Sequence, residues 1–252
     1  MALTLTAPLS TANAQAGAEH PVIVLVHGAF AESGSWNGVI SALRADGYQV
    51  IAAPNPLRSV KTDAQAVAAL ASSLKSPIIL VGHSYGGAVI TDAASLAPNV
   101  KALVYVAGFA PDTGESSQGL SAKFPGSTLG PTLLPPVPLA DGGQDLYIDP
   151  AKFPQQFSAD VPLAQAVLMA TTQRPITAAA LSEPTVVASW KTKPSFFIYG
   201  SADRNIPAAV HAFMAKRAGA KKTIVIPGAS HVVMISHPKS VADLIEEAAS
   251  DK

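Results

Sequence analysis

The chain has 252 residues, no cysteine and a formal net charge of zero, and only 13% of its residues are charged. This length suits one domain with a large core, and the absence of cysteine excludes disulfides and thiolate metal sites. The sequence has no Lys/Arg cluster, phosphate-binding loop or zinc motif, so we expect no nucleic-acid partner, no metal and no cofactor.

The first sixteen residues resemble the end of a secretory signal peptide. A mildly apolar stretch runs into Ala12–Ala16, which contains an A-x-A cleavage pattern ending at Ala16. We therefore expect residues 1–16 to be a signal-peptide remnant and the protein to be periplasmic or secreted. If the segment is only a disordered Ala/Thr-rich extension, the protein is cytoplasmic. No run reaches the approximately 18 apolar residues of a spanning helix, so we expect no membrane span.

The first predicted strand, Pro21–Val26, ends in the loop His27–Phe30. Acyl transfer needs two backbone N–H groups that point at the oxygen which becomes negative, and one of them comes from the first strand-to-helix loop. We expect the backbone N–H of Ala29 to be this donor. The two donors together form the oxyanion hole. We expect the ring of His27 to order the turn rather than to take part in catalysis.

A G-x-S-x-G pentapeptide, Gly82–Gly86, lies between the apolar run Pro77–Val81 and a predicted helix. A serine hydroxyl is a weak nucleophile unless it stands within reach of a base, and a sharp strand-to-helix turn exposes it in that way. The pattern predicts Ser84 as the nucleophile and the N–H of Tyr85 as the second donor to the oxyanion. We expect Asp92, on the helix that follows, to be solvated.

The other apolar runs and helical patterns alternate along the chain. This alternation predicts an α/β fold with a doubly wound, mostly parallel sheet, which binds ligands at the carboxyl ends of its strands. The further predicted strands are Tyr48–Ala53, Ala102–Val106, Lys193–Tyr199 and Thr223–Ile226, and the first predicted helices are Trp36–Leu43 and Val60–Leu74.

Residues 111–190 break this alternation. Eleven of the 21 prolines of the chain fall between Pro111 and Pro184, so we expect a Pro/Gly-rich loop with only short helices. The segment is too long and too apolar to be only a linker. We predict that it is a cap that encloses the substrate, inserted into a core of residues 17–110 and 191–252. The short helix candidates are Ala151–Phe157, Pro162–Thr172 and Thr177–Leu181.

Two later loops supply an acid and a base. Asp203 follows the strand Lys193–Tyr199, and His231 follows the strand Thr223–Ile226. A carboxylate in that place accepts the Nδ1 proton of the histidine, which fixes the tautomer and stabilises the imidazolium. Asp112, after an earlier strand, is an alternative acid, so the choice between the two carboxylates stays open.

Four motifs together resemble the α/β-hydrolase superfamily: His27–Phe30, Gly82–Gly87, Tyr199–Asp203 and Gly228–His231. They are most similar to the compact group of small carboxylesterases, plant-type methyl esterases, hydroxynitrile lyases and bacterial pyrethroid-hydrolase-like proteins. The resemblance spans nearly the whole mature chain and has the superfamily order of serine, acid and histidine. It implies an α/β-hydrolase fold with a small inserted cap.

These features predict a serine hydrolase that cleaves carboxylic esters through an acyl-enzyme. The apolar cap, with Phe30 and Trp36 as candidate pocket residues, favours small-to-medium neutral esters as substrates. A hydroxynitrile lyase is one alternative, but lyases of this group carry a lysine beside the catalytic histidine, and here Val232 follows His231. Two further alternatives stay open: a cofactor-free haloperoxidase or perhydrolase, and a binding protein with a vestigial triad. The sequence does not determine the oligomeric state.

Overall fold

The computed structural model describes residues 20–251 of the chain. The predicted signal-peptide remnant, residues 1–16, lies outside the described residues. In chain order the strands of the described part are β1 (Val22–Val26), β2 (Val50–Ala53), β3 (Ile78–His83), β4 (Val100–Val106), β5 (Val137–Pro138), β6 (Gln144–Leu146), β7 (Ile176–Thr177), β8 (Ser195–Gly200) and β9 (Lys222–Ile226).

Six of these strands form one sheet in the order β2-β1-β3-β4-β8-β9, and every neighbouring pair is parallel. Strands β1, β3 and β8 are buried at every position, which explains why they read as continuous apolar runs. All six strands predicted from the sequence form, and the predicted doubly wound, parallel α/β architecture is confirmed.

Helices connect the parallel strands and cover the sheet. Helix α2 (Val60–Ser73) packs against α3 (Tyr85–Leu96), while α1 (Asn37–Ala45) packs against α10 (Pro238–Ser250), so the two pairs bury the apolar sheet in separate layers. In chain order the helices are α1 (Asn37–Ala45), α2 (Val60–Ser73), α3 (Tyr85–Leu96), α4 (Ser117–Ser121), α5 (Phe153–Phe157), α6 (Leu163–Thr172), α7 (Ala178–Ser182), α8 (Ala208–Arg217), α9 (Val233–Ser236) and α10 (Pro238–Ser250).

The segment between β4 and β8 contains α4 to α7 and a small antiparallel sheet of β5, β6 and β7. The three helices predicted here correspond to α5, α6 and α7. The small sheet was not predicted, because strands of two or three residues are too short to show a period. Contacts that join the segment to the core include an ion pair, in which Arg58 Nη1 donates to Asp145 Oδ1 at 2.6 Å, and a hydrogen bond from the N–H of Val60 to Glu183 Oε2 at 2.6 Å.

The topology brings the predicted functional loops to one edge of the sheet. The loops after β1, β3, β8 and β9 carry Ala29, Ser84, Asp203 and His231 respectively. Since all four strands are parallel, their carboxyl ends lie at the same edge. None of the helices described between residues 20 and 251 has the length and apolar character of a membrane span.

Candidate active site

Ser84 lies in the sharp turn between β3 and α3. Its backbone has φ 53° and ψ −124°, a conformation that is strained for a residue with a Cβ atom. Two glycines leave room for the turn: a Cβ atom on Gly82 would lie 2.5 Å from the carbonyl oxygen of Gly86, and one on Gly86 would lie 2.5 Å from that of Val26. The close backbone packing holds the serine in a nucleophile elbow.

His231 and Asp203 form a buried hydrogen-bonded pair. Nδ1 of His231 donates to Oδ2 of Asp203 over 2.7 Å, and side-chain exposure is 1% for the histidine and zero for the aspartate. A buried carboxylate needs compensating partners. Oδ1 of Asp203 accepts the N–H groups of Asn205 and Ile206 at 2.8 and 3.0 Å, so both carboxylate oxygens are satisfied.

These contacts keep Asp203 ionised. Burial by itself raises the pKa of a carboxyl group, but the charge of His231 and the hydrogen bonds from His211 and His231 outweigh burial and lower the pKa of Asp203 well below its usual value. The carboxylate is therefore an acceptor only, and the imidazole proton of His231 stays on Nδ1.

The alternative acid, Asp112, does not contact His231. Its carboxylate forms an ion pair with Lys191 and accepts the N–H of Thr113 at the protein surface. The hydrogen bond from Lys191 lowers the pKa of Asp112. Of the two carboxylates considered from the sequence, Asp203 is the one that the fold brings to the histidine.

Ser84 and His231 line the same cavity, which has a volume of about 320 Å³. Within the described residues, the Ser84 hydroxyl makes no hydrogen bond to His231. Catalytic hydrogen bonds are often long in unliganded enzymes and shorten when substrate binds. Most of the lining is apolar, from the side chains of Phe30, Phe109, Leu129, Leu133, Leu146, Phe157, Leu181 and Ile206.

The loop after β1 passes directly beside Ser84. A Cβ atom on Gly28 would lie 2.6 Å from the Ser84 Cβ and 3.1 Å from the Tyr85 nitrogen, so only glycine fits this approach. Ala29 lines the cavity. In the described part of the chain, neither the Ala29 N–H nor the Tyr85 N–H donates to another protein group.

The two candidate pocket residues have different positions. Phe30 lines the cavity and packs edge-on against Phe157, with ring centroids 6.1 Å apart. Trp36 is fully buried in the core and packs edge-on against His83 instead. The prediction that Trp36 lines the pocket is wrong, because the chain turns into the core at Ser33–Trp36 before α1 begins.

No cluster within residues 20–251 brings together three His, Asp or Glu side chains in an arrangement that could hold a metal ion.

Comparison with known proteins identifies the family of the chain. The alpha/beta hydrolase family model matches residues 23–244, which is most of the chain. The chain belongs to this family. The resemblance inferred from the four sequence motifs is therefore confirmed.

Relatives of this α/β-hydrolase include a lyase and esterases. It is 27% identical over 250 residues to alpha-hydroxynitrile lyase of Arabidopsis thaliana, covering 90% of this chain and 96% of that protein. Carbendazim hydrolyzing esterase of Nocardioides sp. (strain SG-4G) is 33% identical over 113 residues, which is 40% of this chain and 47% of the esterase. The crystal structure of polyneuridine aldehyde esterase matches with a TM-score of 0.77 at 16% identity, covering 92% of this chain and 100% of that one.

Two buried histidines of the site could not be assigned from the sequence. Nε2 of His83 donates to the carbonyl oxygen of His231 at 3.1 Å, and Nε2 of His211 lies 3.2 Å from Oδ2 of Asp203. The His83 contact joins residues 148 positions apart, whereas His211 lies only eight positions after Asp203 but on a different element, α8. No motif in the sequence marks either contact. The structural role expected for His27 agrees with its contacts: the ring bonds the Gly28 carbonyl at 3.0 Å and accepts the N–H of Asn55 at 3.3 Å.

Proposed function

We propose that this α/β-hydrolase cleaves neutral carboxylic esters through an acyl-enzyme on Ser84. The observation that carries the proposal is the 2.7 Å hydrogen bond between His231 Nδ1 and Asp203 Oδ2, beside a cavity that both Ser84 and His231 line. With the proton on Nδ1, Nε2 of His231 has a free lone pair. An imidazole in this tautomer is a general base for the serine hydroxyl.

In the proposed reaction, Nε2 of His231 accepts the Ser84 proton as Oγ attacks the ester carbonyl carbon. His231 then gives this proton to the leaving alcohol oxygen as the ester C–O bond breaks, which leaves the acyl group on Ser84. A water molecule repeats the sequence and releases the carboxylic acid. Asp203 stabilises the imidazolium in both halves, and the N–H groups of Ala29 and Tyr85 bind the oxyanion.

The composition of the cavity supports neutral substrates of small-to-medium size. No Lys, Arg, Asp or Glu from the described residues lines it, and most of its surface is apolar. A volume of about 320 Å³ is at the lower end of ligand cavities, which span roughly 300–1,000 Å³. A charged substrate would lose its hydration without gaining an ionic partner.

Hydroxynitrile cleavage is the second candidate, because the full-length relative from Arabidopsis thaliana is an alpha-hydroxynitrile lyase. That reaction releases cyanide, an anion, and a positive side chain in the cavity would favour its departure. In this chain the residue after His231 is Val232, which is fully buried. The absence of a cationic side chain among the described lining residues favours ester hydrolysis.

The test is turnover by wild type and Ser84→Ala on p-nitrophenyl acetate and on mandelonitrile. We expect ester turnover to fall by about 10³-fold or more in Ser84→Ala, because the members of a triad act as a unit. The matched control is Ser41→Ala, which removes the hydroxyl of an exposed serine on α1 and should retain full activity. Full ester activity in Ser84→Ala, or faster cleavage of mandelonitrile than of the ester by wild type, would contradict the proposal.

A further inference from the structure

The carboxylate of Asp203 has two histidine partners. The same oxygen, Oδ2, accepts the Nδ1 proton of His231 at 2.7 Å and lies 3.2 Å from Nε2 of His211. The side chains of both histidines are only 1% exposed, and that of Asp203 is inaccessible. A triad needs only the first contact, so the contact with His211 calls for its own explanation.

The hydrogen bonds define the tautomer of His211. Nδ1 of this ring is buried and has no hydrogen-bond partner among the described residues. A proton on Nδ1 would therefore be an unsatisfied buried donor, whereas a proton on Nε2 meets the carboxylate. Burial lowers the pKa of His211 by more than the contact with Asp203 raises it. The net effect favours the neutral ring. His211 is therefore a neutral donor, with Nε2–H directed at Asp203.

Packing holds the His211 ring in this orientation. The ring stacks on Tyr199 of β8, with centroids 4.7 Å apart and an interplanar angle of 19°. The backbone of His211 lies in the first turn of α8, where its N–H donates to the carbonyl oxygen of Pro207. The loop from Asp203 to this helix is fixed in turn by the two amide bonds to Oδ1 of Asp203.

We propose that His211 is a positioning residue that donates its Nε2 proton to Asp203 Oδ2 and thereby limits how strongly this carboxylate attracts the proton on His231. The proposal rests on the ester hydrolysis proposed above. A hydrogen bond to a carboxylate is strongest when the carboxylate carries its full charge. A positive charge on His231 offsets part of the charge of the Asp203 carboxylate and so weakens its hydrogen bond from His211. The His211 hydrogen bond therefore favours the neutral form of His231, which is the form that acts as the base.

Few other titratable groups lie near His211 and His231. Tyr199 stacks on His211, and the centroid of the His83 ring lies 4.8 Å from that of His231. Burial lowers the pKa of His83 well below its usual value, so His83 stays neutral through the working range. On α8 itself, Lys216 and Arg217 lie in the last turn, at the end opposite His211.

Replacement of His211 tests the proposal through the pH profile of kcat/KM. His211→Phe keeps a ring on Tyr199 and removes the donor, whereas the side-chain amide of His211→Gln can replace Nε2–H. In His211→Phe we expect the acid limb of the profile to move to higher pH by up to about one unit, since hydrogen bonds to charged groups have effects of this size. His211→Gln should keep the limb near its wild-type position.

A second donor-free variant and a control separate the electrostatic effect from damage to the fold. If His211→Phe folds poorly, His211→Leu serves in its place and should likewise move the acid limb to higher pH. Tyr199→Phe alters the neighbouring ring without changing the donors to Asp203, and it should leave the profile unchanged. Equal profiles for wild type and both donor-free variants, or an equal shift in His211→Gln, would overturn the proposal.

A measurement without turnover distinguishes failure of this proposal from failure of the proposed function. Protonation of His231 can be followed by NMR of histidine-labelled protein, which has six histidines, in the wild type and in His211→Phe. A shift of the His231 titration to higher pH supports the role of His211 even if no ester is cleaved. An unchanged titration overturns that role even if the Ser84 chemistry is correct.

Discussion

Nε2 of His83 donates a hydrogen bond to the carbonyl oxygen of His231, with 3.1 Å between the two atoms. His83 is the last residue of β3 and directly precedes Ser84, so this bond connects the strand that leads to Ser84 with the loop that carries His231. Both side chains are buried. The relative position of Ser84 and His231 therefore depends on a contact that neither of these side chains makes.

Loss of this bond should reduce turnover without abolishing it. We expect kcat to fall by about 10- to 100-fold in His83→Leu, because small displacements of catalytic groups have effects of this order. His83→Gln retains a side-chain donor and should lose less. The measurement is kcat of the three proteins on one p-nitrophenyl ester, with circular dichroism as a check on folding. Equal kcat for wild type and His83→Leu would show that the bond does not position the base.

The identity of the acid can be tested with a matched pair of variants. Asp203→Asn keeps the shape of the side chain but favours the wrong tautomer of His231, so we expect kcat to fall by up to about 10⁴-fold. Asp112→Asn removes only the surface pair with Lys191 and should change kcat by less than about threefold, since exposed ion pairs contribute little. A larger loss of kcat in Asp112→Asn than in Asp203→Asn would show that Asp112 is the acid.

Stability should decrease in mild acid because buried histidines must take up protons. Burial lowers the pKa of His27 from 6.5 to about 4. As the pH falls, His27 therefore takes up its proton in the unfolded chain before it does so in the folded protein. The contribution of His27 to stability is present above pH 6.5 and is lost as the pH falls towards 4. The loss for this one residue is about 3 kcal/mol. The measurement is the free energy of unfolding by urea at pH 7, 6 and 5.

Two variants identify the source of this pH dependence. His27→Gln should show a smaller change in the free energy of unfolding between pH 7 and pH 5, whereas replacement of the exposed His20 by Gln should leave the change as it is in wild type. A free energy of unfolding that stays constant over this range in wild type would show that His27 is not held neutral by burial.

The cavity predicts the order of preference among esters. We expect kcat/KM along a p-nitrophenyl series to be highest for short and medium acyl chains and low for palmitate, because the cavity of about 320 Å³ has little room for a long chain. A hemisuccinate ester should be poor because no cation from the described residues lines the cavity. An optimum at palmitate, or a preference for the hemisuccinate over a neutral ester of equal length, would contradict this interpretation.

Much of the fold and the centre of the site could be predicted from local sequence. Strands buried on both faces leave continuous apolar runs, as in Val22–Val26, and the elbow at Ser84 leaves glycines where backbone approaches backbone. Asp203 could be located because it follows such a strand, β8. His231 could be located because it follows the apolar run Thr223–Ile226, although β9 is exposed or half-buried along its length. These features depend on residues close together in the chain.

The rest depends on contacts between distant residues. Trp36 is an aromatic residue after a functional loop, and only the 3₁₀ turn at Ser33–Trp36 shows that it faces the core. Asp92 was expected to be solvated, but it is buried and accepts the N–H groups of Val186 and Val187 at 3.0 and 2.8 Å. A polar residue on a helix carries no local sign of a partner about ninety residues away.

The most direct test of the central claim is covalent labelling of the nucleophile. Wild type and Ser84→Ala are treated with a fluorophosphonate that carries a small neutral alkyl group, and the modified peptide is identified by mass spectrometry. We predict one phosphonyl group per chain, attached to Ser84, with loss of ester turnover in proportion to labelling and no labelling of Ser84→Ala. A wild-type protein that hydrolyses esters but stays unlabelled, or that carries the label on another residue, would contradict an acyl-enzyme on Ser84.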